Sequence, residues 1–166
     1  MNPLPKLALS LVLATSALSV NAQQQRQPPA PGPALSLALE AAQEAISVCA
    51  NNGYKVTVTV VDSAGEVKAQ IRSDDVSART LSISKRKTNT VLRYGVASME
   101  ISEKIKSDKE LAAEVEKDES LLPWGGARPL MSKGKLIGAI GVSGAPGGDK
   151  DDVCTAAGIA KIQDRL

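Results

Sequence analysis

Histidine does not occur in the 166 residues. Its absence removes the commonest general base, zinc ligand and haem ligand together. Ser-His-Asp and Cys-His sites are therefore excluded within this chain. A metal site built from thiolates or carboxylates alone needs a CxxC or a paired-carboxylate loop. The sequence has neither, so no metal site is expected and no catalytic residue is assigned. Phenylalanine is missing too, leaving Trp124, Tyr54 and Tyr94 as the aromatics. Platforms for stacking nucleobases are correspondingly absent. Charge of one sign is also lacking: the formal net charge is +2, with signs interspersed, which gives no electrostatic footprint for nucleic acid.

Long apolar runs are scarce as well. One occupies the N-terminus, where Met1 to Lys6 is short and weakly basic and Leu7 to Val20 is apolar except for small hydroxyl residues. Val20-Asn21-Ala22 then supplies small residues at the positions a signal peptidase reads. Residues 1–22 are expected to be a secretory signal peptide, too short in its core for a permanent anchor. Cleavage there leaves 144 residues and lowers the formal charge to +1, because Lys6 is lost. Residues 23–33 are polar and Pro-rich and read as a disordered linker. No later stretch can cross a bilayer, so no membrane contact is expected after processing. Residues 34–166 suit one domain with a real core.

Within that domain the apolar period predicts a helix over Leu35–Ala50, with Leu35, Leu39, Ala42, Ile46 and Cys49 as its inner face. Asn51-Asn52-Gly53 stops it. Lys55–Asp62 alternates and is rich in β-branched residues, and Glu66–Arg72 returns after the Ser63-Ala64-Gly65 turn, a β-hairpin. Asp62 is expected to organise that turn. Ser77–Tyr94 reads as a helix with a basic side, and Ser98–Lys117 as one or two polar helical segments. Ala127–Met131 and Leu136–Ser143 make a second hairpin across Ser132-Lys133-Gly134-Lys135. Asp149, Asp151 and Asp152 then open a last helix, Val153–Arg165. The order α-β-β-α-α-β-β-α predicts an α+β fold, an antiparallel sheet of four to five strands covered by helices.

The run WGGARPLMSKGKLIGAIGVSGAPGGDKDDVCTAAGIAKI resembles the C-terminal signature of the GlcG/HbpS-like family of haem-degrading or haem-binding domains. Upstream, VTVTVVDSAGEVKAQIRSDD resembles the family's VVD-x-x-G hairpin, and KRKTNTV its KA-x-TA helix. The similarity spans about Leu35 to Leu166. It implies an α/β sandwich, a homo-oligomer, and haem or a small carboxylated metabolite as the ligand. Three departures stand out. Ala127-Arg128 lengthens the usual GGLP segment by one residue, Thr88 and Val91 replace both alanines of KA-x-TA, and haem ligation by histidine cannot be carried over.

Cys49 and Cys154 are the lone cysteines. In an oxidising compartment they are expected to form a disulfide between the end of the first helix and the start of the last, two buried free thiols and a redox switch being the alternatives. Gly138, Gly141, Gly144 and Gly147-Gly148 fit neither a Walker A loop nor a dinucleotide fingerprint. Gly138 and Gly141 are expected to permit close helix-on-strand packing and Gly147-Gly148 to make a turn. The alternative is a carboxylate or carbonyl held by backbone N–H groups near Ser143-Gly144. Arg72, Asp74, Lys87, Arg128 and the Gly125-Gly126 backbone lie in or beside the family motifs and are candidates for holding an anionic group, against the simpler reading of surface ion pairs. For haem, axial donors reduce to Met99, Met131, Tyr54, Tyr94 or a reduced cysteine. The expectation is an exported, periplasmic or secreted, small-ligand-binding or accessory protein. The alternative is an enzyme acting on haem or a small hydroxyacid through a non-histidine site.

Overall fold

A computed structural model describes residues 28–166. The expected signal peptide and most of the expected linker lie outside the described residues. From residue 28 to α1 there is no regular secondary structure, but the Pro31 carbonyl accepts a hydrogen bond from Ser63 N–H at 2.9 Å and Pro33 is buried.

Helix α1 (Leu35–Asn51) leads into a hairpin of β1 (Thr57–Asp62) and β2 (Val67–Arg72). Three helices follow, α2 (Arg79–Tyr94), α3 (Ser98–Lys104) and α4 (Lys109–Lys117). A second hairpin, β3 (Ala127–Ser132) and β4 (Lys135–Ser143), precedes α5 (Gly148–Ile162) and a closing 3₁₀ turn, Gln163–Arg165. All strand pairings are antiparallel in one sheet, ordered β2-β1-β4-β3. The expected α+β class, with four strands, is what the chain forms.

The two central strands are covered on both faces, and every residue of β1 is buried. Val58, Val60, Ile140 and Val142 face α1 and α5 in one cluster with Leu130 and Ile162. On the other face Thr57, Thr59 and Val61 meet α2. The Thr57 and Thr80 hydroxyls lie 2.5 Å apart and those of Thr59 and Ser84 2.6 Å. Each buried hydroxyl therefore has a partner, which lets a polar helix face pack on a sheet without leaving unsatisfied groups. Gly141 makes this approach close, since a Cβ there would stand 2.7 Å from the Ser84 carbonyl oxygen. Gly138 acts differently from the expected helix packing: its Cβ would strike the Val61 carbonyl oxygen of the neighbouring strand.

The buried face of one helix and the start of another differ from expectation for physical reasons. The inner stripe of α1 is Ala38, Ala41, Ala42, Ala45 and Cys49, while Leu35 and Leu39 are 55% and 38% exposed. Small side chains win that face because Gly158 of α5 comes so close that a Cβ on it would stand 2.6 Å from the Ala41 carbonyl oxygen. Helix α5 begins at Gly148 rather than Val153, so Asp149 and Asp151 sit inside its first turn, where the helix dipole favours carboxylates. Asp62 organises its turn as expected: its Oδ1 accepts from Ala64 N–H at 2.9 Å and Glu66 N–H at 3.0 Å.

Candidate functional site

A cavity of about 560 Å³ opens where the C-terminal end of β4 meets α2, α3, the Trp124 loop and the start of α5. Its position follows from three local devices. Strand β4 ends at Ser143-Gly144, and Gly144 at φ 139° turns the chain away where a Cβ would strike the Lys55 carbonyl oxygen. Gly147 at φ 134° then swings it into α5. Across the cavity Gly125 packs on Gly148 backbone to backbone: a Cβ on Gly148 would stand 2.8 Å from the Gly125 nitrogen. The mouth carries Trp124, 58% exposed, and the Met99 side chain lines the wall.

Its floor is an ion pair. Lys87 of α2 donates from Nζ to Asp151 Oδ2 of α5 at 2.7 Å and to the Val142 carbonyl at 2.9 Å. The two side chains are 2% and 5% exposed. Asp151 Oδ1 accepts from Ala145 N–H at 2.9 Å, which fixes the carboxylate. Burial lowers the Lys87 pKa below the ordinary lysine value, and the facing Asp151 carboxylate only partly offsets this. Burial likewise raises Asp151 above the ordinary carboxylate value against the pull of Lys87. Both shifts favour the neutral forms, as expected for charges withdrawn from water.

The candidates named from sequence divide into two groups. Lys87, Gly125, Ser143 and Gly144 line this cavity, and Gly126 lies behind its floor, where a Cβ would be 3.1 Å from Lys87 Nζ. Arg128 stands elsewhere, beside a second cavity of about 320 Å³ lined by Glu100 and Pro129. Its guanidinium is engaged in a two-pronged pair with Asp152, Nε to Oδ1 at 2.9 Å and Nη2 to Oδ2 at 2.6 Å. Arg72 and Asp74 are exposed at and just beyond the end of the edge strand β2 and border neither cavity. The four charged candidates thus do not converge on one pocket.

Asp151, expected from sequence only to open the last helix, lines the cleft together with Met99, one of the possible haem donors. A signal for the floor was present. Thr80, Ser84, Lys87, Thr88 and Val91 follow helical spacing, and a lysine inside a stripe that is otherwise small and packable implies a buried partner.

Cys49 and Cys154 form a disulfide with a Cα separation of 5.5 Å, joining the last turn of α1 to α5 one turn beyond Asp151. No described helix is long and apolar enough to cross a membrane.

Comparison with known proteins is consistent with this architecture. The chain belongs to the HbpS-like family: the family model, haem degrading protein HbpS-like, matches residues 34–160. It is 33% identical over 92 residues to an uncharacterized 15.0 kDa protein of the dhaT-dhaS intergenic region of Citrobacter freundii, a match spanning 54% of this chain and 63% of that relative. Among solved structures, HbpS of Streptomyces reticuli, as a double mutant, superposes with a TM-score of 0.73 at 25% identity over 92% of this chain and 97% of that one. ORFY of Klebsiella pneumoniae gives 0.75 at 20% identity over 85% and 97%. PduOC in complex with haem gives 0.72 at 21% over 79% and 95%. The last two show a shared fold.

The donors available for haem are few. Both cysteine sulfurs are in the disulfide. The Tyr94 hydroxyl donates to Glu114 Oε1 at 3.3 Å, and its ring packs with Ile101 and Val115. Tyr54 lies at a separate pocket under the Lys150 ammonium, 5.8 Å from the ring centre. Met131 sits on β3, away from the cleft. Met99 is the one donor of this set that lines the cleft, a cavity that Trp124 also lines. These residues fit haem held by ring contact and a thioether, and do not fit ligation by histidine or thiolate.

Proposed function

We propose that this chain is an exported, small-ligand-binding or accessory protein of the HbpS-like family, with haem among the ligands of the cleft below Trp124. The observation that carries this reading is the cleft itself. An exposed indole and a thioether stand over a buried polar floor, a combination suited to a ligand with an apolar body and a polar edge. A relative of the same fold solved with haem supports the ligand class. The disulfide supports an oxidising destination, periplasmic or extracellular. Self-association as a homo-oligomer, implied by the family resemblance, is part of the same proposal.

Hemin titration of the purified chain beginning at Gln23 tests the proposal through the Soret band. A saturable shift at micromolar hemin is the expected result. A spectrum identical to free hemin throughout the titration would overturn the haem assignment.

A further inference from the structure

The geometry points to Lys87 as a nucleophilic amine that condenses with a small aldehyde or ketone admitted by the cleft, with Asp151 as the proton carrier for that condensation. This inference rests on reading the cleft as the ligand site and goes beyond it in naming a covalent chemistry.

A lysine acts as a carbonyl nucleophile when it is held in a desolvated site, near a group that exchanges its proton, with space for a substrate beside it. Lys87 meets each condition. Its side chain is 2% exposed, yet it lines a cavity of about 560 Å³, ample for a few-carbon carbonyl compound. Two of its donor positions are taken, by Asp151 Oδ2 and the Val142 carbonyl, and among the described residues the third has no partner. Asp151 is anchored through its other oxygen by Ala145 N–H, so Oδ2 is held at 2.7 Å from Nζ. The groups that bear on the pair's charge are few: Asp152 acts on Lys87 from α5, and Asp149 on Asp151. Burial disfavours the charged form of both partners, which brings their proton affinities closer together and eases passage of a proton from Nζ to Oδ2, leaving a free amine beside a carboxylic acid.

The condensation then balances within the pair. The amine lone pair forms a C–N bond to the carbonyl carbon while the C=O π pair moves to oxygen, which takes the proton from Asp151. The nitrogen returns one proton to the Asp151 carboxylate, giving a neutral carbinolamine. Asp151 then protonates the hydroxyl, the C–O bond breaks, water leaves, and an iminium remains beside the Asp151 carboxylate. The charges at start and end are the same, one cation and one carboxylate, so the buried site never holds an unpaired ion.

The test incubates the folded, disulfide-bonded protein with propanal and sodium cyanoborohydride, which delivers hydride to the imine and fixes it as a propylamine, followed by intact-mass and peptide mapping. The expected result is a first propyl group at Lys87, several-fold enriched over exposed Lys133 and Lys135, with the enrichment abolished in a urea-unfolded control. Label spread over surface lysines while Lys87 stays unmodified would overturn the inference. The wild-type map decides this without a variant, and Asp151→Asn, if folded, should slow labelling of Lys87 and leave Lys133 unchanged. If hemin shifts the Soret band and Lys87 stays unlabelled, the covalent inference fails while the binding site stands. If both fail, the reading of the cleft falls with it.

Discussion

Gly125 and Gly148 lie backbone against backbone, so close that a Cβ on Gly148 would fall 2.8 Å from the Gly125 nitrogen and 2.9 Å from its carbonyl oxygen. Neither atom belongs to a flexible side chain, so the loop carrying Trp124 and the start of α5 must part if either glycine is enlarged. Gly148→Val is expected to cost about 1–3 kcal/mol through overpacking. It should also weaken hemin binding, because the cleft lies between the elements it separates. Urea unfolding followed in parallel with hemin titration checks both effects.

The Lys87–Asp151 pair makes a second prediction. Removing one partner strands the other charge away from water. Lys87→Met and Asp151→Leu are each expected to destabilise by about 3–5 kcal/mol, whereas the double replacement should recover most of the loss. A double-mutant cycle in urea measures the coupling. If the single losses simply add, the two groups are not interacting as the structure describes.

The same pair predicts a pH signature. A lysine whose folded pKa is lowered contributes stability that is present above its unfolded pKa and lost as pH falls through its folded pKa. A carboxyl whose folded pKa is raised contributes stability present below its unfolded pKa and lost as pH rises through its folded pKa. Stability of the wild type relative to the Lys87→Met/Asp151→Leu double variant should therefore rise with pH on the alkaline side, up to the ordinary lysine pKa of 10.5. On the acid side it should fall as pH climbs above the ordinary carboxyl value of 3.8. Chemical denaturation at a series of pH values, taken as the difference between the two proteins, checks the two slopes.

The disulfide closes a loop across a sequence separation of 105 residues. A cross-link of that span limits the unfolded chain by about 4–5 kcal/mol in the loop-entropy description. The Cys49→Ala/Cys154→Ala variant should lose stability of this order and retain the fold, because the α1–α5 contact is also filled by the alanine stripe and Gly158. Melting curves of the variant and of the oxidised wild type make the comparison.

Much of the architecture was legible because β-branched alternation and turn residues specify strands locally. The Val58 and Val60 positions, the Ser63-Gly65 turn and the Lys133-Gly134 turn all lie where the pattern put them. The rotation of α1 was not legible, because leucine outranks alanine in any hydrophobic pattern and only the nearness of Gly158 reverses that order. Lys87, Gly125, Ser143 and Gly144 were reachable as cavity residues through the motifs that carry them. Asp151 was not recognised as the partner of Lys87, since 64 residues separate them and no local spacing links them. Arg72, Asp74 and Arg128 looked equivalent to Lys87 in the sequence. The strand order separates them from it, leaving the first two exposed at the sheet edge and the third occupied by Asp152.

Hydrogen–deuterium exchange with and without saturating hemin locates the ligand directly. Binding in the cleft predicts slowed exchange in two stretches far apart in sequence, around Trp124 to Gly126 and from Ser143 to Asp151, with β2 unchanged. Protection confined to Asn52–Tyr54, at the separate Tyr54 pocket, or to β2 would contradict the account.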